Sequence, residues 1–442
     1  MNITQITLAE NSCIGCGVCV SVCPTHHLQI KKNRFNQLCI IENKNKCLEK
    51  CSVCLKVCPF SNQSMNEDDW SKQLFHKSNQ HFHPETGYYI NCYVGFHPIE
   101  KKRLNSASGG LVSYLLEYLL KHNTVDTVLV VGNEEQEPFF SYQLCQQPDN
   151  VYNYSRSAYT VVNIEQALEL IIQNESIQNV AIVALPCVSK ALRNATKYNA
   201  KLKSKIKFII GIVCGQQKSN NFIDYLALKN GINNLSKIIF RTKKKGRANG
   251  NYGVKMINTN GEKKDITFSD YAKEWSFKLF TVPACNFCDD IFAETADIVF
   301  MDAWLPEYRL SEKGENLVIT RNQELDEIIS NIQTTTLINV NRVVESQSTV
   351  INNKKKGCWT ATALAKKQFK YVPSKRNKRL IKPNITERYL YKIKYNLSIK
   401  SDRLWIESGK NYTCFHNTIY KKYRHKIFLG LLLNKLNIFI NK

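Results

Sequence analysis

The stretch CIGCGVCVSVCP, Cys13 to Pro24, decides how the chain begins. It places Cys13, Cys16, Cys19 and Cys23 on one short run and closes with a proline. The run CLEKCSVCLKVCP, Cys47 to Pro59, nearly repeats it with Cys47, Cys51, Cys54 and Cys58. The first spacing is C-x2-C-x2-C-x3-C-P; the second has one more residue in its first gap. Three thiols on a tight loop reach three corners of one iron–sulfur cubane. The fourth, beside the proline, starts a short helix and points to a neighbouring cluster. Zinc sites use paired CxxC with histidines or a longer separation, so the repeat predicts two 4Fe–4S clusters. Crossed ligation gives Cys13, Cys16, Cys19 and Cys58 to one cluster and Cys47, Cys51, Cys54 and Cys23 to the other. Cys39, between the runs, reads as a buried apolar residue.

This is the spacing of two-cluster bacterial ferredoxins, and it assigns residues 1–62 to a ferredoxin-like domain. The whole chain has 442 residues, 43% of them hydrophobic, enough for two or three domains. Its 17 cysteines would mean a disulfide scaffold in a short secreted protein. The opening MNITQITLAENSC has no basic segment followed by an apolar one, so a cytoplasmic, metal-binding use of the thiols is expected. No run of eighteen apolar residues exists, so no spanning helix is expected. The net charge of +24 is uneven: Lys354 to Lys442 hold 23 basic and 3 acidic residues. A basic tail on a nearly neutral body points to an anionic partner for the tail. No RNA-binding motif accompanies it, so nucleic acid is not the expected partner.

Residues 63–87 are polar and read as a linker, with His76, His81 and His83 as loop histidines. From 88 to 350 strand-like and helix-like segments alternate. TVDTVLVVG (124–132), NVAIVALP (179–186), KIKFIIGIV (205–213) and ADIVFMD (296–302) are β-rich apolar runs; GGLVSYLLEYLLKH (109–122) and IEQALELIIQN (164–174) have helical periodicity. The fold class is therefore α+β: a ferredoxin-like domain, a mixed α/β domain, and a basic, mainly helical extension over 351–442. No G-x-G-x-x-G follows a strand and no Walker loop is present, which argues against a dinucleotide-binding Rossmann site or a P-loop NTPase.

Four further stretches carry chemistry. In KKRLNSASGG, Ser108 is a candidate helix cap, and Gly109 and Gly110 let a phosphate approach free N–H groups at a helix start. Lys101, Lys102 and Arg103 precede it. In VALPC, Pro186 and Cys187 fall at a strand end, the edge where α/β sheets bind ligands. Cys214 in GIVCGQ does the same, and PACNFCDD contributes Cys285 and Cys288. Cys187, Cys214, Cys285 and Cys288 form a candidate four-thiolate set, for zinc or a third 4Fe–4S cluster, provided the fold gathers them. The alternative is two buried cysteines and an unrelated CxxC. The terminal KKYRHKIFLGLLLNKLNIFINK places ten apolar residues among Ile427–Ile440. At about 21 Å this helix is short of a bilayer core of about 30 Å. With Lys421, Lys422, Arg424 and Lys426 before it, it is expected to lie on an anionic membrane surface.

Taken in order, the ferredoxin runs, NSASGG, LPC, FRTKKKG and PACNFCDD…ADIVFMDAW resemble the beta subunit of coenzyme F420-reducing hydrogenase and related dehydrogenase beta subunits over residues 1–345. The resemblance implies an iron–sulfur flavoprotein oxidoreductase. It would bind FAD and move electrons between clusters and a flavin that exchanges hydride with a small molecule or with deazaflavin coenzyme F420. By position it implies flavin-site roles for Ser106, Ser108, Gly109, Gly110, Pro186, Arg241 and Lys243. It implies a redox partner protein such as a ferredoxin and, from members in bacterial polysaccharide gene sets, a role in polysaccharide biosynthesis. A non-catalytic electron-transfer or assembly subunit of a membrane-associated complex is the alternative. The family's Gly-Trp after FRxK is replaced here by KKKGRANGNYG.

Overall fold

The structure, a computed structural model, describes residues 3–7, 12–248, 250–373 and 376–440, with backbone alone at 420, 431 and 433–440. In the N-terminal unit each cysteine run ends in a short helix, Val18–Ser21 and Val53–Val57, and the antiparallel hairpin Leu28–Lys32/Leu38–Glu42 lies between them. These elements are too short to be stable alone. They are held by one shared core: Val18, Val20, Leu55 and Val57 pack in the same cluster as Leu168 and Ile171 of helix Glu165–Gln173 and Ala191 and Leu192 of helix Pro186–Thr196. Cys39 is buried in the hairpin. The cysteine loop is pressed onto the body at Gly17, whose φ is +84° and where a Cβ would stand 2.1 Å from Asn163 Oδ1. Only glycine fits there. The Ile164 amide donates to the Cys16 carbonyl at 2.9 Å alongside.

The body is an eight-stranded sheet in the spatial order Thr335–Leu337, Cys92–Gly95, Asn316–Thr320, Ile298–Asp302, Ile206–Ile212, Val180–Ala184, Thr127–Asn133, Phe140–Cys145. The four strands from Ile298–Asp302 to Thr127–Asn133 are parallel; the rest pair antiparallel. The parallel strands are the continuous apolar runs of the sequence, buried on both faces as such strands must be. All four therefore end at one edge. Helix Leu111–Lys121 covers one face through Leu115, Leu116 and Leu119, and Pro186–Thr196 the other. A second, three-stranded antiparallel sheet, Leu235–Thr242, Gly253–Asn258 and Lys263–Thr267, stands beside it.

Two expected boundaries differ from the structure. Residues 63–87 are not a structureless linker. Asn66 caps helix Glu67–Phe75 by accepting from the Asp69 amide, and Trp70 is buried with its indole donating to Asn194 Oδ1 at 2.7 Å. His81 and His83 sit in a small hairpin with Gly87–Tyr89. Three acidic residues in the first turn suit a helix N-terminus, so the polarity that reads as a loop is helix capping. At the other end, the 350/351 boundary falls inside a 26-residue helix, Val340–Ala365.

The basic extension is not a separate appendage either. Helices Ile385–Glu407 and Tyr412–Ile440 pack on each other, and Leu397, Trp405, Phe415 and Tyr423 join the core cluster of Phe222, Tyr225, Phe240 and Phe280. Asp402, 1% exposed, accepts from Asn221 Nδ2 and Gln37 Nε2, each at 2.7 Å, and from Ser219 Oγ. One carboxylate thus ties the cysteine-bearing hairpin, the body and the extension together.

Candidate functional site: a cavity between two groups of thiols

Folding sorts the N-terminal thiols as the crossed pattern requires. Cys13 and Cys16 each lie within electrostatic reach of Cys58, and Cys19 senses Cys16, Cys58 and Cys13. Cys13, Cys16, Cys19 and Cys58 line one small cleft with Ile14, Val18 and Val57. Cys47 and Cys54 each sense Cys51 and Cys23. The two groups meet, since Cys19 also feels Cys54. Burial, and then neighbouring thiols, push the metal-free thiols up, Cys16 to about 12 and Cys54 to about 11. Buried anionic sulfur needs a compensating cation, which bound iron supplies. The Gly15 amide donates to Cys13 Sγ at 3.3 Å. Among the described residues no three His, Cys, Asp or Glu side chains are placed to hold one metal ion.

The four thiols of the body, spread over 102 positions, also converge. Cys187 senses Cys288, Cys214 and Cys285, and after them Cys16. Cys187 lies at the start of helix Pro186–Thr196, Cys214 just past strand Ile206–Ile212, and Cys285 and Cys288 in the turn Pro283–Phe287 and its end. The sheet edge collects them. Gln217 N–H donates to Cys285 Sγ at 3.4 Å. Burial and adjacent anionic groups raise Cys288 to about 12 and Cys214 to about 11, with Lys354 opposing. Lys354 is 5% exposed, and its Nζ donates to the carbonyls of Cys214 at 2.8 Å and Asp290 at 2.6 Å. Burial works against its charge, yet Cys288, Cys214, Cys285 and Asp290 outweigh it and hold the ammonium protonated. The sequence reading missed Lys354, placing it in a basic tail meant for an anionic partner. It also missed Cys358, which is buried beside Asp289 and Cys288 and lines a second cleft with Cys187 and Cys288.

Between these groups lies an open cavity of about 440 Å³. It sits past the carboxyl ends of the parallel strands, where Val131, Ala184, Ile212 and Asp302 meet it. This is the general binding position of such sheets. Cys16 borders it from the first thiol group and Cys214 from the body group. Tyr142, Tyr159, Tyr252, Trp275 and Trp304 give it an aromatic lining. Volume and lining are those of a small-molecule site. Gly250 and Tyr252, from the segment that replaces the family's Gly-Trp, form part of the wall, with Trp304 against Gly250.

Of the residues expected to hold a flavin, Ser106, Ser108, Gly110 and Arg241 line this cavity and Gly109, Pro186 and Lys243 do not. Gly109 is packed against strand Asn316–Thr320, where a Cβ would stand 2.7 Å from the Asn316 amide. Pro186 opens its helix at the first position and is buried. Lys243 donates to the carbonyls of Arg103, Ser108 and Lys313, so it braces the loop around the cavity instead of facing in. Its burial, with Arg241, Arg103 and Arg156 nearby, lowers its pKa to about 7. Arg103 is likewise engaged, by Glu315 and the Gly314 carbonyl, and Lys101 lies on the outside. Ser108 is not the helix cap. Its Oγ donates to the Glu315 carbonyl, and Asn316 Oδ1 takes the Leu111 amide.

Two arginines remain on the cavity. Arg241 grips Asp302 with both terminal nitrogens, at 2.9 and 2.6 Å, over the Tyr252 ring at 4.0 Å. Arg156, absent from the sequence reading, donates Nη1 to the Arg241 carbonyl at 3.2 Å; no carboxylate among the described residues pairs with it. The N–H groups of Val112 and Ser113, at the start of the helix that lines the same cavity, have no acceptor among the described residues. A guanidinium and a helix N-terminus on one cavity each favour an anion.

Residues 12–62 match the family described as "4Fe-4S dicluster domain". Residues 92–169 match the N-terminal part, and residues 177–346 the C-terminal part, of the family described as "Coenzyme F420 hydrogenase/dehydrogenase, beta subunit". Similar proteins include a coenzyme F420-dependent sulfite reductase of Methanocaldococcus jannaschii, 22% identical over 78% of this chain and 50% of that one. They include the beta subunit of a coenzyme F420 hydrogenase of Methanococcus voltae, 25% identical over 49% and 75%. They also include one of the subunits of the F(420)H(2) dehydrogenase of Methanosarcina mazei, 23% identical over 70% and 82%. The chain thus spans half the length of the sulfite reductase. Among solved structures, a chain of the F420-reducing [NiFe] hydrogenase complex of Methanosarcina barkeri aligns at TM-score 0.47 and 16% identity, over 62% of this chain and 92% of that one. Two consecutive family matches over the body, preceded by a dicluster domain, identify this chain as an iron–sulfur member of the coenzyme F420 hydrogenase/dehydrogenase beta-subunit family of oxidoreductases.

Proposed function

We propose that this chain is an iron–sulfur flavoprotein that transfers electrons between 4Fe–4S clusters and an FAD seated in the 440 Å³ cavity. The observation that carries this reading is that one aromatic-lined cavity is bordered by a thiol of each neighbouring group, Cys16 and Cys214. Clusters exchange single electrons, and a flavin exchanges two as hydride with an organic substrate or a deazaflavin such as coenzyme F420. Cys13, Cys16, Cys19 and Cys58 hold one cluster, Cys47, Cys51, Cys54 and Cys23 the second, and Cys187, Cys214, Cys285 and Cys288 the third. Arg156 and the amides of Val112 and Ser113 take the flavin's phosphates, while Tyr142, Tyr159 and Trp275 enclose apolar ring surface and exclude water. Arg241, locked by Asp302, fixes the wall on which the second reactant rests. Polysaccharide biosynthesis, as the setting, rests on the resemblance alone.

The extension gives this protein a peripheral membrane contact. Among the described residues no helix is long and apolar enough to cross a membrane. Phe428, Leu429 and Leu432 are nevertheless exposed next to exposed Lys421, Lys422 and Lys426.

The test is anaerobic purification with iron and flavin quantified. Iron for three cubanes and one flavin per chain is expected. Cys23→Ser should remove the cluster of the second run, and Cys358→Ser should leave all iron in place. Zinc in place of iron, or a flavin-free chain that takes up no FAD, refutes the reading.

A further inference from the structure

The eight N-terminal thiols are unequally placed. Cys16, Cys19 and Cys58 are buried, Cys13, Cys23, Cys51 and Cys54 half-buried, and Cys47 exposed. Next to Cys47, Leu48 is 55% exposed. Lys44, Lys46 and Lys50 flank the pair and are exposed. No ion pair among the described residues uses any of the three. Lys56, also exposed, lies over the Tyr198 ring. Of the nearby carboxylates, Glu42 is occupied by Thr4 and His27, which leaves Glu49 against three lysines.

We infer that the loop Lys44–Lys50 is the docking face of an acidic, one-electron carrier protein that delivers its electron at Cys47. The inference rests on the reading that these thiols hold clusters, and adds where electrons arrive and from what class of donor. In the step the carrier loses one electron and the Cys47 cluster gains it; no bond forms or breaks and no proton moves. The order of the thiols sets the path inward: the exposed group meets the buried one where Cys54 faces Cys19, and the buried group reaches the cavity at Cys16. Leu48 supplies an apolar centre and the lysines a charged rim, as transient interfaces do. A second copy of this chain is a poor occupant, because its net charge is +24. An anionic lipid surface would satisfy the lysines but has no use for an exposed cluster ligand.

The test compares the full chain with the triple variant Lys44→Glu, Lys46→Glu, Lys50→Glu, without oxygen. The donors are reduced flavodoxin, an acidic protein whose oxidation is followed by its own long-wavelength absorbance, and reduced methyl viologen, a small cation. For the natural chain the flavodoxin rate should fall steeply with salt. In the variant it should drop at least about tenfold at low salt and lose most of its salt dependence. The iron content and the viologen rate should hold. A variant as fast as the natural chain at every salt concentration overturns the inference. So does a natural chain that viologen reduces and flavodoxin does not. If instead the variant loses only flotation with anionic vesicles, the face is a lipid contact and the inference falls. A chain lacking iron–sulfur absorbance fails the cluster reading itself, which the iron content and viologen rate distinguish from a lost docking face.

Discussion

Arg156 and Arg241 show how position divides labour between identical side chains. Arg241 is buried and its charge is matched by Asp302; burial opposes the charge, but the carboxylate outweighs it. Removing either partner would strand a buried charge, a loss of about 3–5 kcal/mol. Arg156 lines the cavity with one donor committed to a carbonyl and no carboxylate partner among the described residues. Arg156→Ala should therefore weaken flavin binding roughly 10- to 100-fold, the worth of a charged hydrogen bond of about 1.5–3 kcal/mol, and leave the melting temperature of the flavin-free chain nearly unchanged. Lys243→Met should do the reverse. It lowers the melting temperature of the flavin-free chain by loosening the 103–108 loop, and the chain that stays folded still takes up flavin. Flavin fluorescence titration and thermal melts on both variants check the division; equal effects of the two on affinity would refute it. Arg241 and Lys243 entered through the resemblance carried by FRTKKKG, and Arg156, in NYSRSAYT, did not. An irregular segment has no periodicity to say which way a side chain points, and its role arises only from the bridge Ser157 forms with Phe240.

At the scale of elements, the parallel strands and the two amphipathic helices were legible because their burial is continuous or 3.6-periodic. The helix Glu67–Phe75 was not. Only Trp70, Ser71 and Phe75 join Glu67 in its buried set, and two buried apolar residues in nine do not announce a helix. Glu67 is buried because Lys190 meets it at 2.8 Å. Helix Val340–Ala365 was misjudged for a related reason: its lysines look like solvent-facing charge, yet Lys354 and Lys355 are each 5% exposed. What makes Lys354 an interior residue is the pair of carbonyls, of Cys214 and Asp290, that its Nζ reaches, which no local pattern encodes. A positive charge beside a cluster stabilises its reduced form. Lys354→Met should therefore shift the midpoint potential of the cluster proposed at Cys187, Cys214, Cys285 and Cys288 to lower values, with the two N-terminal clusters unmoved and total iron retained. A redox titration followed by electron paramagnetic resonance separates the three signals. An unchanged potential at full iron would remove Lys354 from the site's electrostatics. Trp405, 0% exposed and beyond the family-matched region, makes the same point for packing. Trp405→Ala should cost about 3–5 kcal/mol, read by chemical denaturation.

For the whole molecule, the charge count predicted a basic tail, and the fold divides that tail by depth. Lys354 and Lys355 serve the interior, and Arg376 and Arg379 close on Glu294 and Asp68. Lys421, Lys422 and Lys426 face solvent at the start of the last two turns before Phe428 and Leu429. The turn they occupy is not loose: Tyr423 is buried, Ile427 is partly buried on the body, and Gly430 faces Tyr389, Leu390 and Ile393 of the preceding helix. Gly430 is thus on the packed side, and among the described side chains of this stretch the exposed apolar ones are Phe428, Leu429 and Leu432. Asn434, Asn437 and Asn441 of the terminal run lie outside the described side chains. Deleting everything after Ser408 would remove Phe415 and Tyr423 from the core, so such a deletion tests folding before it tests membranes. Phe428→Ser with Leu429→Ser and Leu432→Ser keeps the packed side and is the cleaner probe. Each exposed basic residue near anionic lipid is worth about 1 kcal/mol, and added salt screens it over about 10 Å at 0.1 M. The natural chain should float with anionic vesicles at low salt and less so at high salt, the triple variant should float weakly at both, and neutral vesicles should carry neither. Equal flotation of the two chains on anionic vesicles would place the contact on another face, and no flotation of the natural chain would leave the helix as packing for the body alone.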